Sequence, residues 1–520
     1  MDKLNKSKPP ATPASATPIS VKLDENISQI QSRLGNSPDL VIRTYELIHR
    51  SGRVAAIYMS GITDKDMVEN FISHVMTFQS RQDGELLART PQEVYAYIKE
   101  KALSTGKEKL VTDINGLLEG LLSGHTIMLV DGQEKGVSGS TSGGEARAVT
   151  EAGTQVAIRG SKESFTETLS TNIALVRKII KNPDLWTETM KLGDLTHTDI
   201  TLMYIRGVAD DKTIQTFKDK LLSIRVDSIL ESGYIEQIVE ENKYSPFPTL
   251  FNTERPDSVA ANLLDGRIAI FVDGTPFVLI APTTFFMFFH TVEDYYQRYD
   301  ISSLIRVLRF VCLIISLYGP AIFVAALNFH QEMIPTPLLI NLASQREGVP
   351  FPAFVEAVLM EVTFEIIREA GVRMPSPIGQ TVSIIGGLVL GTAAVQAGIV
   401  SPAMVIVVSL TGISSFATPA FNMALSIRML RFVIMGIAAF MGLYGIAICT
   451  IILIAHLCSL RSLGVPYMTP LGPFVPENLR DTFTRSPKSF MKLRPRLRRN
   501  SNSSPDSPAE ESSKRQSHEP

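Results

Sequence analysis

Three stretches of this chain carry no Asp, Glu, Lys, Arg or His, and they constrain its fold more than any other feature. The first, 310–329, is 20 residues rich in Val, Ile, Leu and Phe; the second covers 374–427 and the third 432–455. A bilayer core takes about 20 apolar residues per helix, because every unpaired polar group there is costly. A large soluble core would need three such runs with no polar face, unlike the amphipathic helices of globular proteins. The sequence therefore predicts an integral membrane protein. Four spans are expected, at 310–329, 378–397, 402–420 and 432–456, with Gly398-Ile399-Val400-Ser401-Pro402 as a turn between the middle two. A fifth crossing stays open, because the charged segment 351–372 can span, re-enter or lie flat. Arg428 and Arg431 fit poorly between spans.

Outside these runs the chain is polar. Acids and bases nearly cancel, 52 Asp+Glu against 50 Lys+Arg for a net charge of −2, which speaks against a nucleic-acid binder. Cys312, Cys449 and Cys458 all fall in or beside apolar stretches, so neither a disulfide framework nor a zinc site is expected. No cofactor is expected either, and the scattered histidines form no catalytic set, so the reading is non-enzymatic. Residues 1–37 read as a polar, proline-rich disordered tail lacking the apolar segment of a signal peptide. Residues 461–520 read as a second disordered tail, Ser- and Pro-rich with a basic run from 492 to 499 able to touch anionic headgroups. Arg298, Arg306 and Arg309 before the first span favour an interior location for everything upstream.

The region before the membrane repeats itself. Ile57-Tyr58-Met59-Ser60-Gly61-Ile62-Thr63-Asp64 resembles Met203-Tyr204-Ile205-Arg206-Gly207-Val208-Ala209-Asp210, at an offset of 146 residues. Leu121-Leu122-Ser123-Gly124 with Val130-Asp131-Gly132 matches Leu263-Leu264-Asp265-Gly266 with Val272-Asp273-Gly274, at an offset of 142. Repeats in one order at nearly one spacing predict two related subdomains, 38–152 and 153–285. Each reads as a strand, helical segments, and a strand ending in the Asp-Gly of a hairpin. The glycine-rich 136–144 lacks the Gly-Lys-Ser/Thr of a phosphate loop and reads as a flexible surface loop. Phe285-Phe286-Met287-Phe288-Phe289 admits two readings, an interfacial anchor within a 286–309 segment or a buried aromatic core. The fold class is thus an α+β soluble N-terminal region of two related subdomains followed by an α-helical transmembrane domain, 310–460, of about four to five membrane helices.

One helix in the membrane half is charged. It begins after Pro350 and Pro352, ends at Gly371, and carries Glu361, Glu365 and Glu369 at every fourth position, with Val358 and Val362 beside them. Carboxylates near lipid are expensive unless they meet water or partners, so they mark ion paths. Repeated around an oligomer, the glutamates would form acidic rings that attract cations, and Val358 or Val362 a constriction that closes by dewetting. The plainer alternative is a set of exposed intrahelical pairs, Glu365–Arg368 and Glu369–Arg373.

Several motifs carry a family resemblance. Tyr244-Ser245-Pro246-Phe247-Pro248, Asn252-Thr253-Glu254-Arg255-Pro256-Asp257, Arg346-Glu347-Gly348-Val349-Pro350-Phe351-Pro352, Leu359-Met360-Glu361-Val362-Thr363 and Arg368-Glu369-Ala370-Gly371 resemble the GerA-type spore germinant receptor family, A subunit. The likeness is specific from about Arg159 to His456, weaker over 40–150 and absent in both tails. It implies a subunit in the inner membrane of bacterial spores, partnered by a transporter-like B subunit and a lipoprotein C subunit. It also implies nutrient sensing coupled to release of monovalent cations, with A subunits forming a homo-oligomeric channel lined by Glu361, Val362 and Glu365. A non-conducting scaffold or ligand-binding subunit is the alternative. A secondary transporter fits less well, since repetition lies only in the soluble half.

Overall fold

The computed structural model describes residues 17–46, 52–76, 91–103, 109–143, 152–153, 155, 157–373, 389–479 and 481–487. β-Branched and aromatic residues favour a pleated, packed surface, and the chain uses them in two successive sheets. β1 (Leu40–Glu46), β2 (Arg53–Met59), β3 (Lys109–Val111), β4 (His125–Val130) and β5 (Gly136–Ser140) pair antiparallel in the order β1-β2-β4-β5-β3. β6 (Leu185–Leu192), β7 (Thr198–Ile205), β8 (Phe251–Thr253), β9 (Ile268–Val272) and β10 (Val278–Ala281) follow the order β6-β7-β9-β10-β8, the same topology. The pairing Val54↔Val130 recurs as Ile200↔Val272. These positions differ by 146 and 142 residues, the offsets of the sequence repeats.

The central strands are apolar on consecutive residues because both sheet faces are covered. Ala55, Ile57 and Met59 cluster with Leu117, Leu118 and Leu121, while Val54, Ala56 and Tyr58 cluster with Val68, Ile72, Val94 and Ile98. Gly132 and Gly274 take φ of 86° and 88°, as the Asp-Gly signal requires. Each lies in a five-residue connection (131–135, 273–277) rather than a two-residue turn. The glycine-rich segment is not a surface loop: Gly136–Ser140 is strand β5, with Gly136 to Gly139 buried. Its small residues admit the Phe71 ring where a Cβ at Gly139 would stand. Buried Arg177 joins the two sheets, with Nη2 donating to Ser37 Oγ at 2.9 Å, Nη1 to the Leu185 carbonyl at 3.0 Å, and its guanidinium paired with Asp39.

Two helices are long and apolar enough to cross a bilayer by length and composition, Tyr299–Phe329 and Phe421–Ser459. The expected span 378–397 lies largely outside the described residues. The expected span 402–420 contracts to the helix Pro402–Ser415, 14 residues or about 21 Å, short of a ~30 Å core. The expected span 432–456 is not one straight crossing: it lies in Phe421–Ser459, which is folded at Gly442, whose φ of 60° and ψ of −144° are not helical. Ser426, in its first arm, donates to the Pro246 carbonyl, and His456, in its second, meets Ser245 Oγ at 3.0 Å. A straight helix would separate positions 426 and 456 by about 45 Å. Contact with adjacent residues therefore requires a hairpin, whose bend meets His330 at the end of the first span.

The phenylalanine run is a buried core. Phe286, Phe288 and Phe289 are buried, with Phe289 5.3 Å from Phe310 and Phe288 6.2 Å from Tyr467 between ring centroids. Both expected disordered tails differ where they are described: Leu23–Arg33 is a helix whose Leu23 and Ile30 are buried in the core of the first sheet, and 461–487, excluding residue 480, packs back on the N-terminal region. Fully buried Tyr467 donates to the Pro248 carbonyl at 2.8 Å, and Ser462 to the Thr249 carbonyl at 2.7 Å. Further along, Asp481 pairs with buried Arg306 at 3.1 Å and accepts from Tyr295. Arg306 and Arg309 are thus committed to protein partners, Arg309 to Asp294 at 2.7 Å. Burial works against the Asp294 carboxylate, but the Arg309 hydrogen bond and the charges of Arg309 and Arg306 hold its pKa below the ordinary value. The end of the last helix and the N-terminal region consequently share one side. The basic run 492–499 lies outside the described residues.

Candidate functional site

The charged segment forms one helix, Ala353–Arg373. Its N-terminus packs near Leu327 and Leu342, at the end of the first span far from the sheets. With 100° per residue, its side chains divide into two faces. Val355, Leu359, Val362 and Ile366 are exposed, and exposed Glu369 and Arg373 continue the row. Their alternating 4-3 spacing is that of an unpartnered helix-packing seam. Ala353, Glu356, Ala357 and Glu361 are buried on the opposite side.

The five predicted positions are spread around this helix. Val362 and Glu369 lie on the exposed row, the latter paired with Arg373 at 2.6 Å. Val358 is half-buried against the main apolar cluster. Glu365 is half-buried and pairs with Arg368, with Arg431 at 3.4 Å and with Arg428 at 3.6 Å. Glu361 is fully buried and its carboxylate meets Arg431, also fully buried, at 2.8 Å. An unpaired charge in this setting costs several kcal/mol, and an opposite charge at contact distance offsets much of it.

Sequence reasoning passed over three partners. Arg428 and Arg431 are the sole charges between 374 and 455, and two cations in so apolar a stretch call for buried anions; that was the available signal. Glu356 was the third: its carboxylate accepts from the backbone NH and hydroxyl of Ser401, which caps the helix Pro402–Ser415, with Arg346 3.9 Å away.

The arm that carries Arg428 and Arg431 starts on the N-terminal region. Asn422 Nδ2 donates to Glu236 Oε1 at 3.4 Å, and Ser426 bonds Pro246. Burial, then repulsion from Glu240 and Glu231, pushes the Glu236 carboxyl up to about 7 against the opposing pull of Asn422. The linked elements run from the second sheet, through the 240–249 loop and residues 421–431, to the charged helix. Among the described residues, no group of three His, Cys, Asp or Glu side chains is placed to hold a metal ion.

The family model described as Bacillus/Clostridium GerA spore germination protein matches residues 28–497. Spore germination protein KA of Bacillus subtilis is 50% identical over 471 residues, covering 90% of this chain and 85% of that protein. Spore germination protein GerLA of Bacillus cereus is 38% identical over 473 residues, covering 91% and 95%. The N-terminal domain of the A subunit of the Bacillus megaterium spore germinant receptor GerK3 is 41% identical, covering 52% of this chain and 99% of that one, with a TM-score of 0.41. The chain belongs to the Bacillus/Clostridium GerA family of spore germination proteins.

Proposed function

We propose that this chain is the A subunit of a nutrient receptor in the spore inner membrane, coupling germinant sensing to cation release as a homo-oligomeric ion channel. A transporter-like B subunit and a lipoprotein C subunit are its partners in this reading, and the N-terminal region lies on the interior side. The exposed row Val355, Leu359, Val362, Ile366 and Glu369 supports it above all. In a ring of copies that row meets either neighbours or a shared aqueous path. Val362 then forms the constriction with Val358 at its flank, and Glu365 and Glu369 stand beside the path, each paired with arginine within the protomer. Glu361, held by Arg431 within one protomer, contributes to the field from behind the wall.

The neutralised Glu361 also supports the second reading, a non-conducting scaffold or ligand-binding subunit with ions carried elsewhere. Purified full-length protein in planar bilayers separates the two. The channel reading expects cation-selective current that grows when Val362→Ala widens the constriction. A monomer in detergent with no current in either form overturns it.

A further inference from the structure

We infer that residues 421–431 mechanically join the N-terminal region to the charged helix, and that Arg431 is the positioning residue that fixes how far that helix is rotated. The inference rests on the reading of the exposed row as the conduit wall.

Three observations carry it. First, this arm is anchored at its start on the N-terminal region through Asn422–Glu236 and Ser426–Pro246. Second, Arg431 stands five residues beyond Ser426 on the same arm, about 7.5 Å along the axis, and a helix that short moves as a rigid body. Third, Arg431 is fully buried against fully buried Glu361, which lies 100° around the charged helix from Val362. Any roll that carries Val362 out of the exposed row must break or drag this pair. The other charges facing it are Glu365, Arg368 and Arg428. Glu365 and Arg428 form a second contact between the same two helices, one turn toward the half-buried edge. Two arrangements then exist, with the pair closed or parted, and a displacement of the N-terminal region biases one over the other.

The test uses the full-length chain in phosphatidylglycerol and phosphatidylethanolamine vesicles, with Cys312, Cys449 and Cys458 replaced by Ser and Val362→Cys as reporter. The rate of labelling by a charged maleimide reads the exposure of position 362. Arg431→Glu places like charges together and is expected to change that rate at least fivefold. Adding Glu361→Arg to it restores the pair in reverse and is expected to return the rate to within twofold of the parent. An unchanged rate in Arg431→Glu, or no recovery in the double reversal, overturns the inference. Should the reversals fail to give monodisperse protein, Arg431→Lys carries the test, since it keeps the charge but alters the reach. A shift of twofold or more supports the inference, and the parental rate overturns it. Bilayer recordings keep the two readings apart. Labelling that follows the charge reversal in a chain without current refutes the conduit alone, whereas current with unresponsive labelling refutes the positioning role alone.

Discussion

Glu236 gives the junction between the N-terminal region and the membrane hairpin a dependence on pH. Its carboxyl is raised from an ordinary 4.5 to about 7, by burial first and then by Glu240 and Glu231. A carboxyl with a folded value above its unfolded one binds its proton more tightly when folded. Its contribution therefore favours the folded state below about 4.5, falls as the pH rises toward about 7, and is gone above it. A rise of that size corresponds to about 3 kcal/mol at most. Burial raises Glu240 as well, against the hydrogen bonds from Thr249, so the wild-type slope contains more than one group. Glu236→Gln isolates the contribution: the amide keeps the shape and can still meet Asn422 but does not titrate. Thermal unfolding of the full-length protein in detergent, from pH 4.5 to 8, is the assay. The variant is expected to match the parent near pH 4.5 and to be more stable at pH 8 by up to about 3 kcal/mol. Parallel curves for the two proteins across that range would refute the argument, because they would mean that Glu236 is solvated in solution.

Other contacts give simpler expectations. Gly139→Ala drives a methyl into the Phe71 ring and should destabilise the first sheet by about 1–3 kcal/mol, read as a lower Tm, with part of the loss recovered by adding Phe71→Leu. Tyr467→Phe leaves the Pro248 carbonyl without its donor and should cost about 1–3 kcal/mol. Tyr467→Ala also removes the ring packed on Phe285 and Phe288 and should cost about 3–5 kcal/mol. Equal effects of the two substitutions would mean the ring packing contributes nothing. Arg177→Ala strands Asp39 at the boundary between the sheets and should cost about 3–5 kcal/mol, read by chemical denaturation.

Local patterns were legible wherever the physics is local. The charge-free runs 310–329 and 432–455 marked the two long apolar helices, and the Val130-Asp131-Gly132 and Val272-Asp273-Gly274 repeats marked strands in matching places of two sheets with one topology. Features decided by distant partners were not. Gly136–Ser140 looks like a flexible loop until Phe71, more than 60 residues earlier, is seen to need the space over Gly139. The segment after Leu460 has the composition of a tail, yet Tyr467 is held by Pro248, far away in sequence. The expected span 432–456 reads as one crossing because Gly442 alone breaks it, and helical glycines are common in apolar segments. In the candidate site, periodicity located the helix and its acids but not their orientation. Glu361 and Glu365 differ in burial because Arg431 lies behind one and at the edge of the other, and no spacing rule within the helix reports that.

A thiol-modification scan of single-cysteine variants, recorded in planar bilayers, tests the conduit most directly. Water-borne methanethiosulfonate reagents should alter the current at 355, 359, 362 and 366, and leave it unchanged at 353 and 357. Block that follows the buried positions, or that is absent along the whole exposed row of a conducting protein, would contradict the account.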